Sequence, residues 1–336
     1  MIPLPVLAIE TSCDETSTAV LDINNKILSL RIFSQVDEHS KFGGVVPEIA
    51  SRRHLEVLPQ LVKEVIEESG AEIKSVAVTK GPGLIGSLLV GVSFAKGFAY
   101  SKKIPLYPIH HIEGHIAAIF LERPDWNAPF LTLVVSGGHT ELLNIEEDGK
   151  IIRLARTLDD AAGEAFDKAA RMLKLGYPGG PALARAAEDA GGKTEILSGQ
   201  IMRHSDDFSF SGLKTALRNR IAKEPELSKE LSSILAASFE EAVVDNLIEK
   251  TLSALNKTGS KKLAVVGGVA ANLKLREKMK ELANNKKIDI HIPDKKYCTD
   301  NAAMIGSAAV MRHREDEGYS WNAEASWNIL ELNRIV

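Results

Sequence analysis

Apolar and polar positions fall in blocks along the first 25 residues. Leu4 to Ile9 is an apolar run, Glu10 to Ser17 is polar, and Thr18 to Ile23 is apolar again, which predicts strand, turn, strand. The same arrangement returns at 130–145, where Ser136-Gly137-Gly138-His139-Thr140 separates two strand-like runs. Two such openings about 125 residues apart suggest two related halves. Between them the pattern predicts a helix near 50–69, a strand over 75–79, a helix over 87–100 and a strand over 105–109. The second half predicts helices near 161–175, 181–190, 211–223 and 228–256. A strand at 262–266 then runs into Gly267-Gly268 and another helix, and a strand at 289–292 precedes a helix over 300–316. Strands alternating with helices point to an α/β fold.

A length of 336 residues exceeds a typical single domain, so two lobes with a cleft between them are expected. The composition, 44% hydrophobic and 26% charged, is ordinary for a globular chain, and no run approaches the roughly 20 apolar residues that would span a bilayer. The opening MIPLPVLAIE shows no basic region before its apolar run and no transit-peptide pattern, so residence in the cytoplasm is expected. Cys13 and Cys298 are too few for a disulfide scaffold and form no CxxC pair. A net charge of −4 argues against coating nucleic acid by bulk electrostatics.

Three turns place small residues where a strand ends: 10–17, 136–140 and 267–268. Each could let backbone amides approach a phosphate, and together they favour a bound nucleotide over turns that only need glycine for positive φ. Gly81-Pro82-Gly83-Leu84-Ile85-Gly86 fits GxGxxG, but the next strand ends in His110-His111, not in the acid a dinucleotide fingerprint requires. His111-Ile112-Glu113-Gly114-His115 sets two histidines about 40° apart on one helix face, where they could share a metal. Glu113 then lies about 200° from His111, so it cannot serve as the base of a zinc peptidase. Thr299 or Asp300 could cap the last helix, and composition does not separate cap from metal ligand. Spacing pairs Glu164 with Lys168 and leaves Asp167 towards solvent or a ligand, with solvent favoured.

Taken in order, nine segments resemble the bacterial-type TsaD family, the tRNA N6-adenosine threonylcarbamoyltransferase subunit once labelled a glycoprotease. They are Glu10-Thr-Ser-Cys-Asp-Glu-Thr-Ser17, Gly43-Gly-Val-Val-Pro-Glu-Ile-Ala50, Gly81-Pro-Gly-Leu-Ile-Gly-Ser87, His111-Ile-Glu-Gly-His115, Val135-Ser-Gly-Gly-His-Thr140, Gly163-Glu-Ala-Phe-Asp-Lys168, Gly176-Tyr-Pro-Gly-Gly-Pro181, Val266-Gly-Gly-Val-Ala-Ala-Asn272 and Thr299-Asp-Asn-Ala-Ala303. The resemblance implies two related actin-like ATPase (ASKHA) lobes around a nucleotide cleft, residues 1–110 plus about 305–336 and residues 111–304. It implies one metal per subunit, iron or zinc, on His111, His115 and Asp300. It assigns the nucleotide-containing substrate to Val134, Val135, Ser136, Gly137, Gly138, Asp167, Gly180 and Asn272. Ala184 stands where some relatives carry a second acid near the ribose.

The implied reaction moves threonylcarbamoyl from threonylcarbamoyl-AMP to the N6 amine of adenosine 37, in tRNAs reading codons that start with A. ATP or AMP are further nucleotides expected at that site. The implied partners are tRNA, an inactive TsaB-like paralogue, a small TsaE-like P-loop ATPase and an upstream threonylcarbamoyl-AMP synthase, with no membrane. Two alternatives from other classes remain at this point: a metal-dependent peptidase, and a non-catalytic nucleotide-gated assembly module.

Overall fold

The computed structural model describes residues 2–197, 205–312, 314 and 317–332. The chain divides into two compact units, Met1–Ala128 with Glu147–Ile151 and Lys296–Val336, and Pro129–Glu146 with Ile152–Lys295.

The first unit opens with the strands β1 (Val6–Glu10), β2 (Glu15–Leu21) and β3 (Ile27–Ser34), an antiparallel meander. A short helix α1 (Val36–Ser40) and the long α2 (Pro47–Ser69) lead to β4 (Ser75–Gly81). Then α3 (Ile85–Lys102) leads to β5 (Leu106–His110), which runs directly into α4 (His111–Ala117). β4 and β5 add in parallel, giving the order β3-β2-β1-β4-β5. Leu7, Ile9, Val76 and Val78 pack against Leu58, Val62 and Val65 of α2 and against Val92, Ala95 and Ala99 of α3 in one buried cluster.

The second unit repeats this plan. The strands β6 (Phe130–Val135), β7 (Thr140–Ile145) and β8 (Ile151–Arg156) are its meander. The helices α5 (Ala162–Met172), α6 (Gly179–Glu188), α7 (Ser211–Ile221) and α8 (Lys229–Thr258) precede β9 (Lys262–Val266). A 3-10 turn, Gly268–Ala271, and α9 (Leu273–Lys286) lead to β10 (Asp289–His291). The order β8-β7-β6-β9-β10 matches the first sheet strand for strand, so the duplication expected from the two openings is present in topology.

After α10 (Lys295–Cys298) the chain returns to the first unit as α11 (Ala302–Met311). Every residue from Ala302 to Ala309 is buried, because α11 covers the face of the first sheet opposite α2 and α3 and also packs on α4. With both faces covered, β1 is buried along its whole length. Close approach requires Gly306, where a Cβ would lie 2.3 Å from Leu21 Cδ1, and Gly114 of α4, where one would lie 2.7 Å from Ile305 Cδ1. This packing places α4 and residues 296–304 in the first unit.

Two strands escaped the sequence pattern. β3 and β8 are edge strands with few buried positions, and Ser29, Arg31 and Arg153 interrupt their apolar residues. β2 begins at Glu15, not Thr18, because Ser17 pairs with Glu10, and Thr16 and Ser17 are buried despite their hydroxyls. Positions 313, 315 and 316 of the expected 300–316 helix, and 333–336 of the expected first-lobe arm, lie outside the described residues.

Gly267 has φ +98°, and a Cβ there would sit 2.4 Å from the carbonyl oxygen of Val135, whereas its neighbour Gly268 faces open space without a positive φ. Gly267→Ala should therefore cost more than about 2 kcal/mol, and Gly268→Ala should stay within about 0.5 kcal/mol. Denaturant midpoints of the two variants check this.

Candidate functional site

The polar end of β1 and the start of α4 meet inside the first unit. His111 and His115 are buried one helical turn apart, with ring centroids 4.7 Å apart and planes at 79°. Asp300 Oδ1 lies 3.5 Å from His111 Nε2 and 3.2 Å from His115 Nε2, and the three ligand atoms fall within 4.8 Å of one another. The His115 contact is outside hydrogen-bonding geometry, so among the described residues both ring nitrogens of this fully buried imidazole lack a hydrogen-bond partner. A buried polar group left this way is expensive unless something else binds it. Donor atoms about 2.1 Å from a single tetrahedral ion would stand about 3.4 Å apart, close to the two distances to Asp300. Two imidazoles and a carboxylate are a donor set that suits zinc and iron alike.

Asp300 is not the cap of α11. That role belongs to Asn301, whose Oδ1 accepts from Met304 N at 3.1 Å while its Nδ2 donates to Thr299 O at 2.7 Å. The expectation that Thr299 or Asp300 would cap the helix is thereby corrected by one residue. His110 caps α4: its Nδ1 accepts from Ile112 N at 3.1 Å and its Nε2 donates to Trp327 O at 3.1 Å. Glu113 is turned away from the histidines, as its spacing requires, and is buried against Arg314 at 2.6 Å and Arg312 at 3.4 Å. The carboxylate of α4 therefore faces away from the histidine pair.

A fully buried carboxylate that the sequence reading left in a turn completes the surroundings. Glu10 Oε2 lies 3.2 Å from His111 Nδ1 and accepts from Thr79 Oγ1 at 2.5 Å, and Glu10 Oε1 accepts from Ser12 N at 2.5 Å. Burial would lower the pKa of His111, but the Asp300 and Glu10 carboxylates outweigh it and lift the imidazole to about 9. Burial would raise Glu10, yet its pKa lies below the ordinary carboxylate value because His111 is beside it. Glu15 is pushed up by burial and by Asp14 and Asp300, and the Cys13 thiol rises for the same reasons. The site is thus rich in negative charge and favours a cation. The GxGxxG-like turn braces it, since Leu84 N donates to Ser12 O at 2.8 Å.

The residues expected at a nucleotide all lie in the second unit. Val134 and Val135 end β6, and Ser136 N is occupied by His139 O at 2.8 Å. Gly137 and Gly138 are exposed, have no positive φ, and a Cβ on either would meet nothing within 4 Å. Backbone conformation therefore does not demand glycine at either position. Asp167 is not turned to solvent, as spacing favoured: its Oδ1 accepts from Gly179 N at 2.8 Å, at the start of α6 beside Gly180. Asn272 is the cap of α9, one position outside the helix, with Oδ1 accepting from Leu275 N at 2.9 Å and Nδ2 donating to Glu240 at 2.6 Å. Burial raises the Glu240 pKa. Ala184 lies half-buried on α6.

The family model "TsaD: tRNA N6-adenosine threonylcarbamoyltransferase" matches residues 26–307. A protein of Syntrophus aciditrophicus with the name tRNA N6-adenosine threonylcarbamoyltransferase is 47% identical over 96% of this chain and 97% of its own length. One of Trichlorobacter lovleyi with the same name is 48% identical over 98% of both. Among solved structures, full-length HypF in a phosphate- and nucleotide-bound form superposes with a TM-score of 0.62 at 13% identity, over 92% of this chain and 46% of that one. The activator of 2-hydroxyisocaproyl-CoA dehydratase from Clostridium difficile with bound ADPNP gives 0.52 at 14%, over 92% and 95%. These two distant likenesses bear on fold alone, and they agree with two actin-like ATPase lobes, each a meander extended by two parallel strands. By the family match and by relatives nearly half identical from end to end, the chain belongs to the tRNA N6-adenosine threonylcarbamoyltransferase (TsaD) family.

Proposed function

We propose that this protein transfers the threonylcarbamoyl group of threonylcarbamoyl-AMP to the N6 amine of adenosine 37 in tRNAs reading codons that start with A, releasing AMP. The observation that carries this reading is the 47–48% identity, over 96–98% of the chain, to proteins with that transferase name. His111, His115 and Asp300 would hold one iron or zinc ion. When bound, such an ion supplies Lewis-acid polarisation of the donor carbonyl or neutralises phosphate charge.

The donor is a mixed anhydride whose leaving group is AMP, so much of the demand on the protein is positioning and charge stabilisation. The amides of Gly137 and Gly138, which among the described residues have no partner, would donate to phosphate oxygens. Asp167 and Gly180, where α6 begins, and Asn272 would border the nucleoside, with Val134 to Ser136 setting the strand end they share with Gly137. The Asn272 amide reaches that ligand only beside its bonds to Leu275 and Glu240. No helix among the described residues is long and apolar enough to cross a membrane, and a cytoplasmic location suits an enzyme acting on tRNA. With a net charge of −4 the chain would need help in holding tRNA. A TsaB-like paralogue and a TsaE-like ATPase would provide it, and a threonylcarbamoyl-AMP synthase would supply the donor.

The test is mass spectrometry of nucleosides from tRNA incubated with this protein, those partners, threonine, bicarbonate and ATP. Threonylcarbamoyladenosine should accumulate, and its absence from a complete reaction overturns the assignment. Asp300→Asn should leave the melting temperature close to wild type but reduce metal content and abolish modification, whereas Asn301→Ala should cost about 1 kcal/mol of stability and keep the metal. Elemental analysis with thermal melts separates the two. Gly137→Val should fold normally, since space is open there, and weaken adenine nucleotide binding at least about tenfold in calorimetry.

A further inference from the structure

The carboxylate of Glu10 has no solvent exposure and, among the described residues, no ion pair with lysine or arginine. Its partners converge on one place. Ser12 N fixes Oε1, Thr79 Oγ1 fixes Oε2, and the remaining direction of Oε2 meets His111 Nδ1 at 3.2 Å. Ser12 Oγ lies 3.1 Å from the same ring nitrogen. The other nitrogen, Nε2, is the one that faces Asp300. A carboxylate with two donors already in place can only accept from Nδ1, so a proton is held on Nδ1 and Nε2, which gives up its proton when it ligates, is the atom directed at Asp300.

We infer that Glu10 is a positioning residue of the metal centre, holding His111 in the ring orientation and tautomer that leaves Nε2 as the ligand atom. This rests on His111, His115 and Asp300 being the metal ligands. A glutamine at position 10 would have one oxygen for two demands. Facing Ser12 N with its oxygen, it turns its amide hydrogens on His111 Nδ1 and so favours the proton on Nε2, which blocks ligation. Facing His111 with its oxygen, it sets an amide donor against Ser12 N. An aspartate keeps the charge but draws the acceptor back by a methylene from all three donors. Position and charge are thereby separable.

The experiment titrates the purified, metal-stripped full chain with zinc in competition with a chromophoric chelator, and records the Co(II) absorption spectrum of each variant. Glu10→Gln and Glu10→Asp should both bind zinc about 10- to 100-fold more weakly than wild type, with altered Co(II) bands. Thr79→Val removes a donor from the same carboxylate without touching His111, so it should lower the melting temperature yet keep zinc affinity within about threefold of wild type. If Glu10→Asp binds like wild type, charge alone matters and the positioning role is overturned. It is equally overturned if Glu10→Gln keeps the wild-type affinity and spectrum, or if Thr79→Val weakens zinc as much as Glu10→Gln does. Should Glu10→Gln fail to fold, the aspartate variant decides. His115→Ala separates the two levels of the claim. If it binds zinc as wild type does, the metal reading itself fails. If it loses zinc while both Glu10 variants retain it, only the Glu10 role fails.

Discussion

The approach of α11 to α4 and β2 is the contact on which the cluster of His111, His115 and Asp300 depends. Asp300 stands just ahead of α11 and the two histidines stand on α4, so the helix spacing sets the spacing of the ligands. Two absent side chains allow it, at Gly114, between the histidines, and at Gly306, over Leu21. A Cβ at either would lie well inside contact distance of the Leu21 or Ile305 methyl, so that side chain or the helix itself would have to move, in a dense core. The small residues Ala302, Ala303, Ala308 and Ala309 make the rest of α11 thin enough to lie buried between the sheet and α4.

Polar satisfaction supplies the second layer of order. Asn301 takes over the capping of α11, which releases Asp300 towards the imidazoles. His110 spends one ring nitrogen on its own helix and the other on Trp327, so it is tied down and does not compete with its neighbour His111. Glu113 faces two arginines from the segment after α11, and α4 is thus gripped on the side opposite the metal ligands. The cap and first turn of one short helix, 110 to 113, hold three polar side chains in three different environments.

Much of this was legible in the chain itself. The repeated apolar, polar, apolar openings announced two halves, and the four-residue spacing of His111 and His115 announced a shared face. What stayed hidden was tertiary. Glu10 ends an apolar run and reads as the first residue of a turn, because nothing in its neighbourhood along the chain reveals that Thr79 and His111 will surround it. Asp167 sits at a position that local spacing gives to solvent, and only the fold brings the start of α6 to it. The cap of α11 was missed because aspartate, asparagine and threonine stand side by side and share the same capping chemistry. The edge strands β3 and β8 were missed because Ser29, Arg31 and Arg153 break their apolar residues into short pieces, so neither forms a continuous apolar run.

The second unit is inserted in the chain between the parts of the first. Its sequence must be made after α4 and before α11. At about 5–20 residues per second, the interval between synthesis of His115 and of Asp300 is roughly 10–40 s. Through that time the nascent first sheet has one face without its covering helix, and the histidines have no carboxylate from the far end of the chain. The cluster of His111, His115 and Asp300 therefore comes together late in biosynthesis, and a ribosome that stops before α11 releases a chain that cannot complete it.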